Sequence, residues 1–356
     1  MRQIIIISLF GLIVFGIIPA CSSTLKTDVA KTYCYSAWRK HNTGDYKGAI
    51  EDYAKAIELN PNYADAYYSR GYTNNEIGDY KGAIEDYTKA IELNPNYADA
   101  YYGCGLAKHN TDDYKGAIED YTKAIEINPN YADGYYGCGL AKYNTGGYKG
   151  AIEDYAKAIK LSPNYADAYY GRGLAKYNTD DYKGSIKDYT KAIKLNPKYA
   201  DAYYSRGSAN NKIGDYKAAI EDYTKAIELN PNYADAYYCR GYTNNKTGDY
   251  KGAIEDYTKV IEINPKYANA YYNRGWAKDK TGDYEAAIED YTKAIEINSK
   301  LTQAYWSRGT AKYKTGDYKG TKEDLLKALE LDPSLKSKIE PKIDEVNKML
   351  AEQERK

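Results

Sequence analysis

Apolar and small residues return along this chain at spacings of three and four, and the whole pattern repeats every 34 residues. In Tyr80–Leu93 (YKGAIEDYTKAIEL), Ala83, Ile84, Tyr87, Ala90 and Ile91 form one stripe, while Glu85, Asp86 and Lys89 fall largely on the other side. That spacing predicts an amphipathic helix. Asp79 stands in the N-cap position behind Gly78, and Asn94-Pro95 marks the stop, because a residue before proline is pushed out of helical geometry. Upstream, Ala64 to Glu76 carries Tyr67, Arg70, Gly71 and Asn74 at the same spacings and predicts a first helix. A glycine inside a helix costs up to about 1 kcal/mol. Its return at one slot in every later copy, from Gly71 through Gly309, predicts that another helix approaches closely there.

Nine units fit this phase: 30–63, 64–97, 98–131, 132–165, 166–199, 200–233, 234–267, 268–301 and 302–335. A period of this length means a solenoid or a closed array. Each copy needs a neighbour to cover its apolar face, so the ends must differ. They do: Thr321 and Leu325 replace the usual Ala and Tyr in the ninth unit, and Ser299 replaces the preceding unit's Pro. Residues 336–356 follow, and the stripe Leu335, Ile339, Ile343, Val346, Leu350 predicts an amphipathic capping helix, with Pro341 as a point of kinking or restart.

The unit resembles the tetratricopeptide repeat. At repeat positions 4, 7, 8, 11, 20, 24, 27 and 32 the second unit has Tyr67, Arg70, Gly71, Asn74, Ala83, Tyr87, Ala90 and Pro95, and six of these eight fit the family pattern. The resemblance covers residues 30–335. It implies an all-α fold: a right-handed superhelical solenoid of nine helix-turn-helix repeats, with a protein-binding scaffold as the usual role. Two departures stand out. Arg replaces Leu at position 7 in six units, and every unit has Asp at position 23, so an Arg–Asp pair between the two helices of a repeat is expected, as between Arg70 and Asp86. The expectation has a gap, because Asp120 and Asp154 persist where Cys104 and Cys138 hold the Arg slot. At position 11, Asn or Lys stands where the family has an aromatic, which puts the usual packing there in question.

The N-terminus follows other rules. Arg2 precedes a nearly continuous apolar run from Ile4 to Ile18, then Ala20 and Cys21. Basic start, apolar core and small-residue cleavage site read as an export signal over residues 1–20. The ending IPAC resembles the lipobox of bacterial lipoproteins, with Pro19 as a departure. That resemblance implies cleavage before Cys21 and lipidation of its side chain and new N-terminus, a membrane partner through the lipid, and an envelope location. Ser22 after the cysteine leans toward the outer membrane where the cell has one. The alternatives are an uncleaved anchor in the inner membrane and a plain secretory signal. Residues 21–29 are expected to be the lipidated N-terminus and a linker, whose eight residues from Ser22 would reach no more than roughly 27 Å.

Composition narrows the rest. With 50 basic and 50 acidic residues the chain has no electrostatic reason to seek nucleic acid. Cys34, Cys104, Cys138 and Cys239 read as buried thiols rather than a disulfide framework, and His41 and His109 lie too far apart for a metal pair. Repeated carboxylate pairs such as Glu85–Asp86 read as solvated helix charge, so neither an enzyme nor a cofactor is expected. In the resembling family the first helices line the concave face. There, position 5 holds Tyr68, Tyr102, Tyr136, Tyr170, Tyr204, Tyr238, Tyr272 and Trp306, and position 9 adds Tyr72, Tyr242 and Trp276. Aromatic anchors with polar rims suit protein interfaces. The expectation is a groove that docks a segment of another protein, against the plain alternative that these rings only pack between helices. A surface adhesin facing a host and a glycan or small-molecule binder remain as other readings.

Overall fold

The computed structural model describes residues 23–355. Among these there are nineteen α-helices, one 3-10 turn and no strand. They fall into two compact units that divide between Ser162 and Pro163. The first unit stacks four helix pairs: α1 (Ser23–Asn42) with α2 (Tyr46–Leu59), α3 (Ala64–Glu76) with α4 (Tyr80–Leu93), α5 (Ala98–Asn110) with α6 (Tyr114–Ile127), and α7 (Ala132–Asn144) with α8 (Tyr148–Leu161). The second stacks five: α9 (Ala166–Tyr177) with α10 (Tyr182–Leu195), α11 (Ala200–Lys212) with α12 (Tyr216–Leu229), α13 (Ala234–Thr247) with α14 (Tyr250–Ile263), α15 (Ala268–Thr281) with α16 (Tyr284–Ile297), and α17 (Thr302–Thr315) with α18 (Tyr318–Leu331). It ends in α19 (Lys336–Gln353). Within each unit every second helix also packs on the first helix of the next pair, which is solenoid stacking.

The local signals explain the boundaries. Asp79 caps α4 by accepting a 3.0 Å hydrogen bond from the Gly82 amide. Every other second helix has the same Asp cap except α8, where Gly147 stands in that place and offers no side chain. Gly78 sits at φ +82°, the left-handed region that favours glycine, and so closes the turn between α3 and α4. In two repeats the slot holds Asp instead, Asp112 at φ +62° and Asp180 at φ +61°.

The close approach expected at the helical glycines is present. A Cβ on Gly71 would lie 3.2 Å from both the Ala83 carbonyl oxygen and the Tyr87 ring, both on the repeat's own second helix. The core of each of the first eight repeats is built mainly from alanines around one buried tyrosine, such as Ala83, Ala90 and Tyr87, and Leu325 takes the tyrosine's place in the ninth. Small residues bring the backbones together, and the tyrosine supplies most of the buried area.

Two expectations need correction. Helix α1 begins at Ser23, inside the segment read as a linker. Ser23–Val29 has no Gly or Pro to break a helix, and its rise is about 10 Å rather than an extended reach. Pro341 does not restart α19, which runs continuously through it. Ile339 and Val346 of that helix are fully buried, and Ile339 packs with Leu325 and Ala328 of α18, so the expected cap is in place.

Candidate functional site

The most regular polar feature of the repeat joins its two helices. In repeat seven the Arg240 guanidinium reaches Asp256 with Nε 3.0 Å from Oδ2 and Nη2 2.6 Å from Oδ1. The same two-point bridge joins Arg70–Asp86, Arg172–Asp188, Arg206–Asp222, Arg274–Asp290 and Arg308–Asp324. Each of these guanidiniums also lies over the ring of the position-4 tyrosine of its own helix, at 5.6–5.8 Å for Arg70, Arg172, Arg206, Arg240, Arg274 and Arg308.

Position 11 fills the gap left by the cysteines. Lys108 bridges Asp120 at 2.7 Å, Lys142 bridges Asp154, and in the first repeat Lys40 bridges Asp52 at 2.6 Å. Where position 11 is Asn, as at Asn74, Asn210 and Asn244, its amide donates to the same Asp beside the Arg. So every position-23 Asp has a cation from position 7, position 11 or both. The signal was in the sequence: no unit combines a neutral residue at position 7 with Asn at position 11. Burial pushes the Asp86 and Asp256 carboxyls up while their arginines pull against it. At Asp52 burial also pushes up, but hydrogen bonds from Lys40, Ser36 and Lys55 outweigh it and hold the carboxyl below its ordinary range. These bridges are internal struts that join the two helices of each repeat.

The expected groove residues divide into two sets. At position 5 the tyrosines are half-buried. Tyr68 and Tyr102 in the first unit, and Tyr170, Tyr204 and Tyr238 in the second, each lie between the position-24 and position-34 tyrosines of their own repeat at 4.8–5.9 Å between ring centres. Tyr136 packs on Tyr155 at 5.7 Å and Tyr272 on Tyr291 at 5.8 Å. These rings are structural as well as lining a face. At position 9, Tyr72 and Tyr242 are 44% and 43% exposed and present their rings outward. Cys21 lies outside the described residues.

Three of the expected residues converge. Tyr272 and Trp276 of α15 and Trp306 of α17 line an open pocket of about 190 Å³, with Tyr291 at its base and Asp279, Gln303, Ser307 and Thr310 around it. Lys314 donates to Asp279 at 2.9 Å, and the Lys280 ammonium lies 5.0 Å from the Trp276 ring centre. Aromatic and polar side chains share the lining, and Lys280 and Lys314 lie beside it through Trp276 and Asp279. Sequence spacing gave Tyr272, Trp276 and Trp306 a shared face but did not bring in Gln303, Ser307 or the floor tyrosine.

Among the described residues no cluster of His, Cys, Asp and Glu could hold a metal. The four thiols are free. Burial pushes Cys104 up to about 12 and Cys138 to about 11, which makes them inert packing groups. His41 and His109 contact Thr73 and Asn144 respectively, in separate places.

Models of the TPR repeat match residues 40–77, 75–112, 111–146, 141–180 and 178–214, and those of the tetratricopeptide repeat match 200–233, 234–267, 268–301 and 302–335. The chain therefore belongs to the tetratricopeptide-repeat family. It is similar to a solved tetratricopeptide-repeat protein from Parabacteroides merdae, at 20% identity and a TM-score of 0.51 over 70% of this chain and 98% of that one. It is also similar to PilF of Pseudomonas aeruginosa, at 20% identity and a TM-score of 0.51 over 57% and 92%. A third, YrrB, is described as a TPR protein with an unusual peptide-binding site; it aligns at 29% identity and a TM-score of 0.48 over 52% and 96%. No curated protein matches the chain.

Proposed function

We propose that this chain is a non-enzymatic scaffold of the bacterial cell envelope, held to the membrane by a lipid on Cys21, that docks a segment of another protein on the face of its first helices. The observation that carries the docking reading is the Tyr272–Trp276–Trp306 pocket, where aromatic rings meet a polar rim. A partner segment would seat one apolar side chain among these rings and place acidic neighbours near Lys280 and Lys314. Desolvated aromatic anchors of this kind supply most of the energy in protein interfaces. The exposed ring of Tyr242, in the same unit as the pocket, would extend the contact along the first helices.

The membrane attachment rests on the sequence of residues 1–21. Two or more acyl chains on Cys21 would hold the chain firmly, since one alone is marginal. The proposal is tested by capture from envelope extracts with the mature chain and with a Gln303→Arg/Thr310→Arg variant that blocks the pocket mouth while sparing the core. The expected result is a discrete captured protein that the variant loses. Equal capture by both would remove the pocket from the account. Mass spectrometry of the mature N-terminus tests the anchor, and a free Met1 would contradict it.

A further inference from the structure

The first repeat breaks a rule that all the others keep. At position 6 every later repeat has Ser, Gly, Cys or Asn. The reason is visible in the stack, where that residue meets the position-24 tyrosine of the preceding repeat: a Cβ on Gly103 would lie 2.6 Å from the Tyr87 ring, and one on Gly137 would lie 2.8 Å from Tyr121. In the first repeat the residue is Tyr35, and it is 62% exposed. Its ring stacks on Trp38, 6.0 Å away and itself 55% exposed. Lys31, Tyr35, Trp38 and Asn42 follow at spacings of four, three and four, so they share one helix face.

We propose that this face of α1 rests on the surface of an anionic lipid bilayer. The inference rests on the membrane-anchor reading above and deepens it. Three observations select a lipid surface. Exposed Trp and Tyr side by side are the pair that favours the boundary between headgroups and acyl chains, because each ring is apolar with one polar atom. The helix is basic, with Lys26, Lys31, Arg39 and Lys40 against Asp28 alone, while the whole chain is neutral. Lys40 is taken up by Asp52, but Lys26, Lys31 and Arg39 are exposed, Lys31 in a loose 3.7 Å pair with Asp28, and face water where lipid phosphates would lie. Finally, α1 begins at Ser23, two residues after Cys21, and a lipid on Cys21 would bring this helix to the bilayer before any other part of the fold. The helix would then be a second attachment that orients the array, leaving the anchor to supply most of the affinity.

The test uses the full lipidated chain with Trp276→Phe and Trp306→Phe, so that Trp38 is the only tryptophan, reconstituted into vesicles of phosphatidylglycerol and brominated phosphatidylcholine. The expected result is severalfold quenching of Trp38 by the bromolipid, protection from aqueous iodide, and weaker quenching when Lys31→Glu and Arg39→Glu are added. Trp38 open to iodide and unquenched by bromolipid, on chains that float with the vesicles, would overturn the surface contact and leave the anchor standing. Chains that fail to float would overturn both. Protection from both quenchers, together with crosslinked dimers, would overturn the lipid contact in favour of pairing between two copies.

Discussion

Lys108 stands in for an arginine: its ammonium lies 2.7 Å from Oδ2 of Asp120 in a repeat whose arginine slot is held by Cys104. The contact predicts unequal effects from one kind of substitution. Lys108→Asn removes the only side-chain cation from a carboxylate that is only 14% exposed, and breaking a pair of this kind costs on the order of 3 kcal/mol. Lys278→Asn makes the same change beside Asp290, which keeps Arg274, and should cost under about 1 kcal/mol. Repeat arrays need not unfold in one step, so hydrogen exchange resolved by repeat is the suitable readout. Equal loss of protection in the two variants would contradict the shared-cation account.

The turns of the third and fifth repeats hold Asp112 and Asp180 at positive φ, where the seven other repeats of the array use glycine in the sequence Thr-Gly or Ile-Gly. A side chain in the left-handed region costs about 1 kcal/mol or more, with Asp among the milder cases. Asp112→Gly and Asp180→Gly should each stabilise by roughly 0.5 kcal/mol, after losing the exposed hydrogen bonds from Tyr114 and Tyr182. Thermal unfolding of the double variant should shift upward. A downward shift would mean that these hydrogen bonds outweigh the backbone strain.

Alkaline pH should unfold the array in step with tyrosine ionisation. Burial pushes Tyr87, Tyr121, Tyr155, Tyr257 and Tyr291 far above the ordinary phenol range, and Tyr102 up to about 12. A group whose pKa is raised by folding binds its proton more tightly in the folded state. Its contribution is complete below the unfolded value, about 10, and is lost as pH rises beyond it. Helical circular dichroism and tyrosinate absorbance should therefore change together above about pH 10. Smooth ionisation of all tyrosines near that value with helicity intact would contradict the packing described.

Much of this architecture is legible from spacing alone. Ala64–Glu76 and Tyr80–Leu93 follow from three-and-four periodicity, the Asp79 cap and the Asn94-Pro95 stop. The Arg70–Asp86 bridge follows from two residues placed on facing helices. The role of position 11 is not legible from either position alone, because its signal lies in how positions 7 and 11 vary together from repeat to repeat. The face at position 5 is legible in the spacing, but its partial burial is not. A tyrosine's polar end makes a packed ring and a presented ring look alike in sequence, and only the stacking of Tyr68 on Tyr87 and Tyr97 separates them. Tyr35 is hard to read in sequence for a different reason: its meaning depends on what a preceding repeat would have placed against it.

The docking claim is tested most directly by photocrosslinking in cells, with benzoylphenylalanine introduced at Gln303 beside the pocket and, as a control, at the partly exposed Lys327 on α18. The account predicts a discrete crosslinked protein from Gln303 and none from Lys327. Crosslinks from neither position, or the same products from both, would contradict it.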